Sequence, residues 1–263
     1  MKGRGGILGA IATFLLFLAK AGAPLFALLL KFKVLLIFGK LLLTFGSMFI
    51  SMWFWAKLYG WPLAVGFVLS IFFHECGHAI AGKSRGLPMS GMVFIPFMGA
   101  AVFLKRGGRS LGEDAFIGIM GPVFGTIYAA GCIALFVLTH HPIWLALGYM
   151  VAFMNLFNLL PIPPLDGGWI VPIFSPKVLA IGAVLMIPVA IWAHNPFILV
   201  LGLLSLPRII GGWKAKPGES EYFKVQPGER LLYGIAYPGL AALLALLMAC
   251  ASGMSVVSGY GAI

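Results

Sequence analysis

The chain has 263 residues, 61% of them hydrophobic and only 10% charged, with a mean hydropathy of +1.05. Soluble domains carry roughly 25% charged residues, so this chain cannot cover a water-exposed surface, and the same hydrophobicity excludes intrinsic disorder. The net charge of +11 is gathered in short clusters between apolar runs: Lys83/Arg85, Lys105/Arg106/Arg109 and Lys214/Lys216/Lys224/Arg230. This is the pattern of cytoplasmic loops lying against an anionic leaflet. No basic stretch is interleaved with stacking aromatics, so anionic lipid is the expected partner of the basic face and nucleic acid is not.

Residues 1–40 begin with Lys2 and Arg4, followed by the apolar stretch 7–19 and Ala21-Gly22-Ala23. The order imitates a signal peptide, but cleavage would export Lys31, Lys33 and Lys40 against the positive-inside rule. The expectation is a retained, basic amphipathic segment on the cytoplasmic leaflet, followed by one transmembrane domain over 41–263. That domain divides into a core, 41–170, and C-terminal helices, 178–250. The fold class is all-α and polytopic, with about six to seven transmembrane helices. A helix needs about 20 apolar residues to span a bilayer, and the candidate spans are 41–57, 61–82, 112–138, 143–160, 178–193, 196–207 and 231–250. With Lys83/Arg85 inside, each basic cluster falls on one side, the His140-His141-Pro142 turn falls outside, and Lys57 is the one basic residue left outside.

Two apolar stretches do not read as spans. Residues 88–104 are broken by Pro88, Pro96 and Gly99. They suggest a membrane-embedded hairpin of strands Val93–Phe97 and Ala101–Leu104 about a Met98-Gly99-Ala100 turn, with a kinked helix as the alternative. Residues 161–172 hold four prolines, Pro161, Pro163, Pro164 and Pro172, and cannot form a regular helix. Non-helical backbone at membrane depth is tolerated only where it is buried or lines a wet cavity, so this Pro-rich re-entrant segment and the hairpin both point to a site. The loop 208–230 reads as cytoplasmic. Trp53, Trp55, Trp61 and Trp144 lie near span ends and read as interface anchors. Cys76, Cys132 and Cys250 are isolated in apolar runs, as buried thiols are.

Of the seven acidic residues, Glu113, Asp114, Glu219, Glu221 and Glu229 read as helix-end or loop residues, leaving Glu75 and Asp166 in apolar surroundings. An intramembrane carboxylate is costly unless paired or bound to a cation, which marks both as functional candidates. Glu75 lies in His74-Glu75-Cys76-Gly77-His78 and Asp166 in Leu165-Asp166-Gly167-Gly168. On a helix, His74 and His78 at i and i+4 share a face and can bind one metal, with Glu75 flanking it within reach of a metal-bound water. The alternative is two histidines acting as interhelical polar glue. Two histidines leave zinc short of three protein ligands. His140, His141 and His194 fall in turns placed outside, so Asp166, at similar depth, is the available anionic ligand. Zn²⁺ with the Asp166 and Glu75 carboxylates also sums to zero charge, which suits a low-dielectric interior.

The HExxH motif His74–His78 in a transmembrane helix, followed by Asn158-Leu-Leu-Pro161-Ile-Pro-Pro-Leu-Asp166-Gly, resembles the site-2 protease family of intramembrane zinc proteases over residues 41 to 170. The resemblance implies one Zn²⁺ per chain held by His74, His78 and Asp166, with Glu75 as catalytic base and Asn158 positioning substrate or stabilising the oxyanion. It further implies regulated intramembrane proteolysis of a transmembrane protein substrate, in a compact member without a PDZ or CBS domain. A multi-pass protein of a prokaryotic plasma membrane, with its N-terminus cytoplasmic, is the matching location. The chain departs from the family pattern at Gly125, where a polar Asn is expected.

Asn155 and Asn158, at i and i+3, could instead bond between helices, and Gly118, Gly121 and Gly125 read as a face for close helix packing. Two other classes compete with proteolysis, and one other type of membrane zincin competes within it. A non-proteolytic scaffold or regulator binding single-pass partners would be expected to have lost a ligand or the Glu. A metal transporter needs further polar groups across the membrane, and away from their ends the other spans carry no acids and no histidines. A zincin that processes prenylated proteins would bring its third ligand as a later intramembrane Glu, which this chain lacks.

Overall fold

The computed structural model describes residues 38–95, 99–104, 108–192, 194, 197–214 and 221–261; the expected amphipathic segment lies, but for its last residues, outside them. Among the described residues, eight α-helices and one hairpin follow in order: α1 (Phe38–Tyr59), α2 (Trp61–Ser84), β1 (Met89–Ile95), β2 (Gly99–Leu104), α3 (Leu111–Thr139), α4 (Ile143–Asn158), α5 (Gly167–Ile170), α6 (Val178–Trp192), α7 (Phe197–Lys214) and α8 (Pro227–Val257). Helices α1, α2, α3 and α8 are long and apolar enough to cross a membrane, and they mark an integral membrane protein. Their outer faces are bare and apolar, with Phe49, Leu138, Leu232 and Val257 among the exposed residues. In water such a surface would drive aggregation; in lipid it is the solvated face.

Local chemistry sets the helix ends. Gly60, at φ 80°, takes a conformation that L side chains rarely adopt and separates α1 from α2, which then starts with Pro62 in its first turn, where no N–H is needed. Ser110 caps α3 by accepting from Glu113 N–H, and Gln226 with Glu229 forms a capping box on α8. Pro122 and Pro238 are accommodated inside long helices, as neighbouring helices allow in membrane proteins.

Helices α2, α3 and α4 make the centre of the bundle, with Val68, Ile71, Ala115, Leu147 and Val151 in one buried cluster, and α8 closes it against α4. The hairpin lies between α1 and α2. Thr44 Oγ1 donates to Met92 O at 2.6 Å, Phe94 N–H donates to Ser47 Oγ at 3.0 Å, and Phe72 stacks on Phe94. The strands are antiparallel, pairing Met89 with Leu104 and Ile95 with Gly99. The expected hairpin is therefore present, but displaced. The first strand starts four residues before Val93, and Gly99 and Ala100 belong to the second strand rather than to the turn, because the β-branched and aromatic run Met92–Ile95 pairs directly with Gly99–Val102.

After α4 the chain breaks helix at Leu159, as its prolines require. It folds back so tightly that Gly167 packs on the Leu159 and Leu160 carbonyls and Gly168 on the Ile162–Pro163 backbone; a Cβ on either would overlap them. The one-turn α5 and a 3₁₀ turn, Val171–Ile173, follow. Tyr237 of α8 donates its hydroxyl to Leu159 O and holds this bend from outside. Helix α7 runs on to Lys214, so the loop expected from residue 208 is helical over its first seven residues. Pro207 and Arg208 imitate a span end, yet Arg208 is needed inside the fold. Trp53 and Trp61 are exposed as anchors would be, whereas Trp55 and Trp144 pack on the core.

Candidate metal centre

His74 and His78 lie one helical turn apart on α2, both turned toward α3. The face they meet has no side chain: a Cβ on Gly121 would stand 2.7 Å from His74 Nε2 and closer still to His78 Nε2. One step along, Gly77 lets the Met120 carbonyl approach α2, with its carbon 2.8 Å from where a Cβ would be. The small-residue face of α3 therefore does pack closely: Gly121 against the imidazole pair, Gly118 against Asp166, Trp169 and Ile170, and Gly125 against Asn155. Asp166, at the foot of α5, completes the group. His74 Nε2 is 3.1 Å from Asp166 Oδ2, His78 Nε2 is 3.1 Å from Oδ1, and the two Nε2 atoms are 3.0 Å apart.

The protons follow from the partners of the other ring nitrogens. His78 Nδ1 lies 2.7 Å from the carbonyl oxygen of Ile117, which can only accept, so Nδ1 carries the hydrogen. His74 Nδ1 lies 2.7 Å from Asn155 Oδ1, and Asn155 Nδ2 donates to Val151 O at 2.8 Å, which fixes the amide with its oxygen toward the ring. In the neutral rings both Nε2 atoms are then bare lone pairs, facing each other and a carboxylate. Asp166 Oδ2 is buried with no hydrogen-bond donor. Three acceptors converging without a hydrogen between them repel one another, and a cation among them removes the repulsion. A tetrahedral zinc with bonds of about 2.0–2.1 Å holds its ligand atoms roughly 3.3 Å apart, close to the separations found. These three residues are the group that could hold a metal ion among the described residues, and each imidazole carries the outer hydrogen bond that metal-binding histidines have.

Glu75 is buried beside His74, and with His74, Asp166 and Asn158 it lines a cavity of about 550 Å³. The other walls are mainly apolar, with Ile71 of α2, Phe153 and Phe157 of α4, Trp55 of α1 and the hairpin residues Gly99 and Ala100, beside Tyr59 and Tyr149. Asn158 is thus brought to the cavity and Asn155 to the histidine, two duties for a pair whose i, i+3 spacing alone does not separate them. Asn155 is fully buried, and its carboxamide fills the volume that a side chain at Gly125 would occupy. His140, His141 and His194 are exposed in turns. His140 lies 19 residues beyond Gly121, about 28 Å along α3 at 1.5 Å per residue.

Asp114, which reads from sequence as a helix-end acid, is a buried carboxylate outside the centre, only 3% exposed. It accepts from Gly108 N–H at 3.0 Å and from the Tyr222 hydroxyl, and Arg208 Nη2 stands 3.5 Å away, its guanidinium lying 3.4 Å over the Trp169 ring. Burial and the Asp114 carboxylate push the Tyr222 phenol above its usual range, so it remains a donor at neutral pH. No family model matches the chain, and no curated protein matches it.

Proposed function

We propose that the chain is an intramembrane zinc metalloprotease resembling the site-2 protease family, hydrolysing a peptide bond in or near the transmembrane segment of a protein substrate. The observation that carries this reading is the convergence of two Nε2 lone pairs and the Asp166 carboxylate, their second nitrogens already engaged, at the wall of an apolar cavity that Glu75 shares. Zinc at His74, His78 and Asp166 would supply Lewis acidity, lowering the pKa of a water in its open position to about 7. Glu75 takes a proton from the attacking water. As the carbon–nitrogen bond breaks it delivers that proton to the leaving amine, while the water oxygen remains in the new carboxyl group. The Asn158 carboxamide donates to the scissile carbonyl oxygen as negative charge develops there. A helical substrate must unwind to expose that carbonyl, and pairing with the hairpin beside the cavity offsets the backbone bonds it loses.

In the same reading α4, α6 and α7 also cross the bilayer, bringing the spans to seven. The 159–173 bend is re-entrant, and the basic clusters face the cytoplasm of a prokaryotic plasma membrane, together with the N-terminus. The intact donor set and Glu75 favour turnover over a scaffold role. The test is metal content and cleavage in one preparation. Purified wild type is expected to carry about one zinc per chain and to cut a single-span model peptide with a helix-breaking pair at mid-span. Asp166→Ala should lose the zinc, and Glu75→Gln should keep it while losing cleavage. Cleavage that persists in Glu75→Gln refutes the assigned base, and a folded wild type without metal refutes the centre.

A further inference from the structure

We propose that Asn155, which the reaction above does not use, is the positioning residue of the metal centre: seated in the gap at Gly125, its carboxamide holds His74 in the tautomer that leaves Nε2 to the ion. The inference rests on the metal reading of His74, His78 and Asp166. The two histidines are held differently. The outer nitrogen of His78 donates to a backbone carbonyl, Ile117 O, which no substitution at that position removes. The outer nitrogen of His74 donates to a side chain from another helix, Asn155 Oδ1 at 2.7 Å. That side chain is itself oriented, because Nδ2 donates to Val151 O at 2.8 Å and leaves only the oxygen to face the ring.

The carboxamide also has a built seat. A Cβ on Gly125 would overlap its carbon, oxygen and nitrogen together, so α3 must lack a side chain there for Asn155 to reach α2. A fully buried amide engaged at both ends stabilises the bundle whatever else it does. Its acceptor, however, is spent on a metal-ligating ring, where an outer-shell partner fixes orientation and raises ligand basicity. Gly125 and Asn155, thirty residues apart on α3 and α4, therefore act as one device.

The test uses the full chain in detergent, stripped and loaded with Co²⁺, reading cobalt affinity, its visible absorption bands, its rate of loss to a chelator, and thermal stability. Asn155→Leu should weaken cobalt binding about 10–100-fold, shift the absorption bands and speed metal loss, whereas Asn155→Asp, which keeps an acceptor for Nδ1–H, should restore all three. Gly125→Ala should reproduce the Asn155→Leu loss although alanine favours helix, and the double variant should be no worse than the worse single. A lowered melting temperature with unchanged cobalt affinity and spectrum in Asn155→Leu overturns the proposal, as does Gly125→Ala binding cobalt like wild type. If Asn155→Leu does not fold, Gly125→Ala decides alone by the same criteria. Wild type that binds no cobalt overturns the inference together with the metal reading; normal loading and the expected variant losses, with no cleavage of the model peptide, sink the protease reading alone.

Discussion

Gly121 shows how narrowly the centre is built at the level of single atoms. Its missing side chain is the space in which both Nε2 atoms sit, one of them 2.7 Å from where a Cβ would stand. Gly121→Ala therefore cannot be absorbed by a flexible side-chain tip, since the overlapping atoms belong to rings pinned by Ile117 O and Asn155 Oδ1. Either α3 moves away from α2 or the imidazoles rotate off Asp166, and both separate the donors. The expected outcome is loss of at least nine-tenths of bound zinc, read by elemental analysis. The helical fold should survive, because alanine is the better helix former by about 1 kcal/mol. Gly131 has open space at its Cβ position on the same helix, so Gly131→Ala is the matched control and should retain its metal. Equal zinc in the two variants would mean that the close approach of α3 does not define the site.

Between elements, the carboxylate of Asp114 ties together the segment before α3, helix α7 and the Glu221–Phe223 turn, while Arg208 lies over the ring of Trp169, three residues after Asp166. Asp114→Ala leaves a guanidinium and a phenol without their shared acceptor in a mostly buried place, and should cost about 2–4 kcal/mol. It should lower the melting temperature and also loosen metal retention, because Trp169 and Asp166 share one short turn. A melting temperature within a degree of wild type would show that the cluster bears no load. This hub was not legible in the sequence: next to Glu113, in the first turn of a helix, Asp114 looks like a solvated acid serving the helix dipole, and its partner stands 94 positions away behind Pro207. Much of the rest was legible, for physical reasons that differ by element. Long apolar runs mark α1, α2 and α3 to within three residues at each end, whereas α8 extends four residues before and seven beyond the expected 231–250. Scarcity of charge marks Glu75 and Asp166, since a buried carboxylate needs a partner. The same scarcity argument, applied to amides, would have singled out Asn155 inside an apolar helix, whereas resemblance directed attention to Asn158. Strand register was misplaced because pairing depends on the partner strand and not on the local run.

At the scale of the whole molecule, Arg109 stands just before α3 and the His140–His141 turn just after it. Arg109 Nη2 donates to Arg85 O at 3.0 Å, joining the ends of α2 and α3, and Arg208 reaches Asp114 from α7. At the far end the Tyr260 hydroxyl, just past α8, donates to His140 O at 3.0 Å. Helix α3 links the two ends with 29 residues, about 43 Å at 1.5 Å per residue, more than the roughly 30 Å of a hydrocarbon core. Its two ends therefore belong in opposite aqueous phases. The Ile117 carbonyl that holds His78 lies six residues in, about 9 Å from the start of α3, so the centre sits nearer the end of α3 that Arg109 marks. Single cysteines at Lys224 and His141, in a chain whose Cys76, Cys132 and Cys250 are replaced by alanine, should react with a membrane-impermeant maleimide from opposite faces. By the positive-inside rule Lys224→Cys is the cytoplasmic one, and intact cells should label His141→Cys alone until the membrane is opened. Labelling of both from outside would mean that α3 does not cross, and would remove the bilayer from every argument about why Glu75, Asp166 and Asn155 need partners.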